Sequence, residues 1–143
     1  DASYFRESWE SCCFGGFLFA KEVVKSFLSE KTAGTIIFTG ASASLRGKSN
    51  FGAFNSGKGA LRNFAQALAK EYAEYSIHVS HVIIDGGLAG ERIKQRLSDF
   101  DQRVKKGKLI NIENVTDAYM FLYNQSKDAW TFELDLRTSQ ENW

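Results

Sequence analysis

An α/β fold built on a parallel sheet is what this sequence predicts, and three features predict it. Helical and strand periodicities alternate along the chain, helix first, in the rhythm of right-handed crossovers between parallel strands. The run Thr-Ile-Ile-Phe-Thr at 35–39 is short, β-branched and apolar almost throughout, as in a strand covered on both faces. After it comes the stretch around which the chain is organised, Phe51 to Tyr75. There Leu61, Phe64, Ala65, Leu68, Ala69 and Tyr72 recur at helical spacing, and Arg62, Lys70, Glu71 and Glu74 fall on the outer side.

The first element is a helix from Tyr4 to Glu30, with Trp9, Cys13, Phe17, Ala20, Val24 and Phe27 as its inward stripe. Gly15 and Gly16 leave room for a second helix to approach its backbone. A polar turn at 31–34 leads to the strand 35–39, and a loop rich in Gly, Ser and Ala follows from Gly40 to Asn50. The central helix ends before a second strand, Ile77 to Ile84, which runs into the turn Asp85-Gly86-Gly87. A charge-rich section, 91–108, holds one short helix near Arg92 to Phe100, and its acidic residues form a solvated surface. The helix Asn111 to Gln125 turns Val115, Ala118, Tyr119, Phe121 and Leu122 inward. In the last strand, Thr131 to Arg137, Phe132, Leu134 and Leu136 alternate with Glu133, Asp135 and Arg137, so one face is expected to be wet.

At 143 residues the chain is one domain's worth, with enough length for a real core. Its net charge of +1 offers no electrostatic case for nucleic acid or an anionic membrane. The longest apolar run, Cys12 to Ala20, is too short to span a bilayer, so a cytoplasmic protein without membrane partners is expected. Cys12 and Cys13 are adjacent, a spacing that defeats disulfide geometry, and both are read as buried thiols. Proline is absent where average composition places about seven, so loops must be held by packing.

Among chemical candidates, the small residues Gly52, Ala53, Ser56, Gly57, Gly59 and Ala60 crowd around one ammonium, Lys58. Glycine costs helix stability, so something has to approach that end closely. The segment resembles a phosphate loop, but Gly59 stands where a magnesium-binding hydroxyl is required. The loop Thr39 to Gly47 follows a strand's carboxyl end, where open α/β sheets bind ligands. Ser44 and Arg46 break it as a dinucleotide fingerprint, leaving a polar active-site loop. His78 and His81 have no companions at metal-ligand spacing and read as hydrogen-bonded structural residues, so no metal site is expected. Trp130 and Trp143 are candidates to border a pocket, with packing the plainer reading.

Three segments, Gly34-Thr-Ile-Ile-Phe-Thr-Gly-Ala-Ser-Ala-Ser44, Phe54-Asn-Ser-Gly-Lys58-Gly-Ala-Leu61 and Ile77-His-Val-Ser-His-Val-Ile-Ile-Asp85-Gly86-Gly87, occur in order and at the right intervals to resemble the carboxyl half of the short-chain dehydrogenase/reductases. The closing Ala-Trp-Thr-Phe-Glu-Leu-Asp-Leu-Arg at 129–137 resembles the last strand of one branch. The resemblance implies a Rossmann-like sheet of about three strands with flanking helices, and carbonyl or alcohol redox with NAD or NADP. It further implies a homo-oligomer formed through the opening helix and the 51–75 helix.

Carried over by position, the resemblance places Lys58 on the nicotinamide ribose. Phe54 stands at the proton-donating Tyr, Ala41 at the carbonyl-polarising Ser and Cys12 at the water-holding Asn, so only Lys58 keeps the family residue. Ser42 and Ser44 are weak substitutes for the lost hydroxyl. Gly86 and the backbone of Leu88 are expected to contact the nicotinamide amide, beside an Asp85 that replaces a family proline. General acid–base catalysis contributes about 10² to 10⁴ in rate, so an inactive or impaired enzyme is expected. The family's glycine-rich amino half has no counterpart here, and tight dinucleotide binding is not expected of this chain alone. The chain is thus read as a single partial domain, 1–143, either a fragment of a longer protein or a half-protein with an exposed strand edge. The alternative function is a non-catalytic dimerisation module.

Overall fold

The computed structural model describes residues 1–141; Trp143 lies outside them. Helix α1 (Ala2–Trp9) starts on Asp1, whose carboxylate accepts from the Tyr4 amide at 2.9 Å. A π-helical turn over Glu10–Phe14 then joins it to α2 (Gly15–Glu30). The expected single opening helix is therefore widened at its middle, and the extra residue rotates everything before it. Cys13, Ala20 and Val24 of the inward stripe are buried, whereas Trp9 and Phe17 are exposed. The helix closes at Lys31 in the left-handed region (φ 52°), whose amide returns to Leu28 and Phe27.

Strands β1 (Gly34–Ala41), β2 (Ile77–Asp85) and, further on, β5 (Glu133–Arg137) form one parallel sheet in the order β1-β2-β5. Phe38 pairs with His81 and Ile84 with Leu136. Helix α3 (Gly52–Tyr72) is the crossover between β1 and β2. The mixed α/β class and the parallel sheet of three strands are as expected. Ile36, Phe38, Ile77 and Val79 pack on Ala20 and Val24 of α2 and on Leu61, Ala65 and Leu68 of α3. Gly16 permits this approach, because a Cβ there would lie 2.7 Å from the Leu61 side chain; Gly15 meets only its own helix.

The sheet's other face is covered by α6 (Ile112–Tyr123), where Leu122 is buried against Val82, Ile84 and Ile110. Val115, Ala118 and Tyr119 are half-buried as expected, but Phe121 is exposed, since it falls off the stripe that the other four define. Between β2 and α6 the chain is more broken than its sequence suggests. A two-residue strand β3 (Gly87–Leu88) pairs in parallel with β4 (Leu109–Ile110), too short to leave a periodic signal. In place of one helix at 92–100 there are two, α4 (Glu91–Lys94) and α5 (Phe100–Lys105), with Asp99 half-buried and bonded to Arg103 at 2.8 Å.

Two further expectations fail for one reason. Arg62 is not on the outer face of α3, and β5 has no simple wet face, because Arg62 reaches Glu133 in a forked pair at 2.6 and 2.9 Å. Of Glu133, Asp135 and Arg137 only Asp135 is exposed. Charged side chains turn inward where an opposite charge meets them. No helix among the described residues is long and apolar enough to cross a membrane.

Candidate active site

The carboxyl ends of β1 and β2 and the first turns of α3 meet at one edge of the sheet, with Lys58 between them. Its Nζ donates to the Thr39 carbonyl at 2.8 Å, so the amine is fastened to the last turn of β1. Burial pushes the Lys58 pKa down, partly opposed by nearby Cys12. This perturbation has no counterpart in the linear sequence, because the atoms that desolvate the amine come from other elements.

Cys12 arrives from the π turn. A Cβ on Gly57 would lie 2.9 Å from the Cys12 Cβ and 3.2 Å from the Ser8 carbonyl, so Gly57 is what lets this helix lie against α3. Cys12 is therefore half-buried in the seam rather than fully buried; Cys13 is buried, and burial raises its pKa.

The Phe54 ring lies one turn before Lys58, its centroid 5.9 Å from Nζ. It lines a cleft of about 220 Å³ with Ser42, Arg46, Lys48, Asp85 and Glu141. Asn55 holds that loop in place: Nδ2 donates to the Ala43 and Arg46 carbonyls, and Oδ1 accepts from the Lys48 amide. Asn55 was not singled out in the sequence, although a polar side chain beside a proline-free loop is the signal that marks it. Ala41 keeps the loop's first hydrogen bond, its N–H donating to Ser44 Oγ at 3.2 Å.

Asp85, at the end of β2, is buried between two arginines, with Arg46 at 3.1 Å and Arg137 at 3.3 Å. Gly86 is exposed in a backbone that side chains rarely adopt (φ 148°), near Ile110 and Glu141. Leu88 is paired with Ile110 and packs into the second core cluster. Thus Lys58, Phe54, Ala41, Ser42, Ser44 and Cys12 gather around the end of β1, Gly86 follows the cleft-lining Asp85 and sits near Glu141, and Leu88 belongs to packing.

His78 and His81 are both buried. The His78 ring stacks on Trp130 at 4.9 Å, and its Nε2 is shared between Ser80 Oγ and the Thr131 carbonyl. Trp130 borders a cleft there with Thr35, Tyr123 and Lys127, at the opposite end of the strands from Lys58. His81 bonds Glu133 through Nδ1 at 3.0 Å, and burial lowers its pKa despite that carboxylate. Among the described residues no cluster of His, Cys, Asp and Glu is arranged to hold a metal ion.

This geometry has relatives. Residues 1–99 match the family described as short chain dehydrogenase. A solved short-chain dehydrogenase from Rhodopseudomonas palustris is 37% identical with a TM-score of 0.73, over 96% of this chain and 53% of that one. L-xylulose reductase of Bos taurus is 26% identical over 76% of this chain and 47% of its own length. A 4-hydroxyisoleucine dehydrogenase mutant solved with NADH and succinate shares the fold, with a TM-score of 0.78 at 16% identity, over 92% of this chain and 57% of its own. The chain thus spans about half the length of each relative. By sequence match and by fold, it belongs to the short-chain dehydrogenase family.

Proposed function

We propose that the chain supplies the substrate-side half of a nicotinamide-dinucleotide pocket in an oxidoreductase that interconverts carbonyl and alcohol, with its chemistry impaired at Phe54 and Ala41. The observation that carries this reading is the Lys58 amine, held at the carboxyl edge of the sheet by the Thr39 carbonyl. An ammonium has three donors, and this bond uses one, so the residues present fit the ribose diol of NAD or NADP. When bound, the dinucleotide supplies the hydride acceptor or donor. The cofactor is known for the family through relatives such as the dehydrogenase solved with NADH.

What the chain's own residues contribute is unequal. Lys58 binds and orients, while Phe54 presents a ring with no exchangeable proton where the family has a phenol. At the position of the polarising serine, Ala41 offers only a backbone N–H, already given to Ser44. Losing the acid–base group costs about 10² to 10⁴ in rate. In the protein as expressed from its own gene, NADH or NADPH fluorescence should shift on binding, and Phe54→Tyr with Ala41→Ser should raise reductase turnover about 100-fold or more. Flat titrations at millimolar concentrations of both dinucleotides would overturn the proposal.

A second reading, a dimerisation module, is favoured by one specific feature. Trp9, Phe14 and Phe17 stack in an exposed ladder at 6.1 and 5.9 Å, continued by exposed Tyr4 and Phe5. Contiguous apolar surface of this kind marks an interaction site, here for a second copy through α1, α2 and α3. Sedimentation should give a dimer that Phe14→Glu dissociates. A stable monomer at high concentration sinks it.

A further inference from the structure

Beneath the Lys58 site runs a chain of groups that the family's own residues do not account for. Arg62 clamps Glu133 through two bonds, and Glu133 accepts a third from His81 Nδ1. Arg62 holds the Glu133 pKa well below the usual carboxylate range, with His81 adding to the effect. A carboxylate only accepts, so His81 carries its proton on Nδ1, and Nε2 is left as a bare lone pair. That lone pair is fully buried and, among the described residues, has no hydrogen-bond partner. Leaving a buried acceptor unpaired is destabilising and calls for a functional explanation.

The position of Nε2 supplies one. A Cβ built on Gly40 would lie 2.1 Å from His81 Nε2 and 3.0 Å from Ser44 Oγ, so the two atoms flank the methyl group that glycine omits. Ser44 Oγ accepts from the Ala41 amide, and among the described residues its own O–H proton has no acceptor, with the His81 Nε2 lone pair on the far side of the Gly40 gap. Gly40 follows Thr39, whose carbonyl holds Lys58, so the pair lies directly beside the ribose-binding amine.

We propose that Ser44, His81 and Glu133 form a proton relay, in which His81 takes the Ser44 hydroxyl proton so that Ser44 supplies in part the acid–base role that Phe54 cannot fill. This rests on the oxidoreductase reading and deepens it. In the alcohol-oxidising direction Ser44 takes a proton from the substrate hydroxyl as its own passes to His81 Nε2. The product is an imidazolium paired with the Glu133 carboxylate; no electrons move in the relay. Reduction runs the same path backwards. The charged groups facing His81 are Glu133, Arg62 and Lys58; burial, and to a lesser degree the two cations, oppose its protonation, so that it returns the proton readily.

The test is made on the expressed protein without dinucleotide, so that its failure is separate from failure of cofactor binding. With ¹⁵N-labelled histidine, His81 should show the Nδ1–H tautomer at neutral pH and an Nε2 resonance typical of a hydrogen-bond acceptor. Ser44→Ala should move that resonance to the position of a free imidazole nitrogen, and Ser44→Thr should restore it. If Ser44→Ala does not fold, the deuterium isotope shift on Nε2 in the unmodified protein decides, being present with a hydroxyl donor and absent without one. An Nε2–H tautomer, an Nε2 resonance indifferent to Ser44→Ala, or a missing isotope shift overturns the proposal.

Discussion

Two histidines three residues apart on β2 have opposite surroundings. His78 faces α6, stacked flat on Trp130 and bonded to a hydroxyl and a backbone carbonyl. His81 faces α3, between a carboxylate that Arg62 fixes and a glycine that makes way for its ring. Both are buried, and both belong to the same strand. A strand's side chains alternate between faces, so an odd number of residues between two positions keeps them on one side and an even number separates them. Two residues separate this pair, placing one imidazole among neutral partners and the other among charges next to the Lys58 amine. The difference teaches that residue type carries little functional information here; which layer receives the side chain carries most of it.

The contrast can be broken most sharply at Gly40. Gly40→Ala puts a methyl group 2.1 Å from His81 Nε2, and overpacking of this kind should cost about 3 kcal/mol in urea unfolding. His81→Ala in the same chain should recover much of that loss, whereas His78→Ala should not, because coupling is confined to neighbours. Additive costs for Gly40→Ala and His81→Ala would disprove the contact.

Next in size is Glu133→Ala, which strands Arg62 and His81 together. Both partners of the Arg62–Glu133 pair are partly exposed, so the cost is about 1 to 3 kcal/mol, below that of a fully buried pair. Loss of less than 0.5 kcal/mol, about the level of an ordinary surface change, would show that the clamp is not holding the sheet to α3.

Acid should act through His81 first. Its folded pKa lies below the ordinary value of 6.5, so above that pH both folded and unfolded imidazoles are neutral. As pH falls below about 6.5 the unfolded chain takes the proton first, and stability drops until the folded ring also titrates. Glu133, with a lowered folded pKa, adds a second loss in the same direction below its ordinary 4.5. Denaturant midpoints measured from pH 7.5 to 5 should fall, and His81→Gln should flatten that limb. The smallest effect is expected at the other histidine: His78→Phe keeps the stack on Trp130 and loses its hydrogen bonds, about 1 kcal/mol by thermal melting.

Much of the architecture was legible in residue order. The long helix from Phe51 and the amphipathic helix before residue 125 were readable from hydrophobic period, since burial of one face selects side chains at that period, and the strand at 35–39 from its short, β-branched apolar run. Lys58 was legible too, because a single ammonium amid small residues is unusual in a helix. The π turn at Glu10–Phe14 was not, since its five residues differ from α-helix by one shifted bond. Nor were β3 and β4, at two residues each, or the break between α4 and α5.

By itself the sequence determined the alternation of helices and strands and the family pattern along nearly the whole chain. Tertiary structure alone decided that Arg62, Glu133 and His81 meet, that Asp85 is locked between Arg46 and Arg137, and that Gly40 opens the space between His81 and Ser44. Periodicity records how a segment meets water, which is local. Ion pairs and lone pairs depend on which side chains converge from distant segments, and that convergence exists only once β1, β2, β5 and α3 have packed.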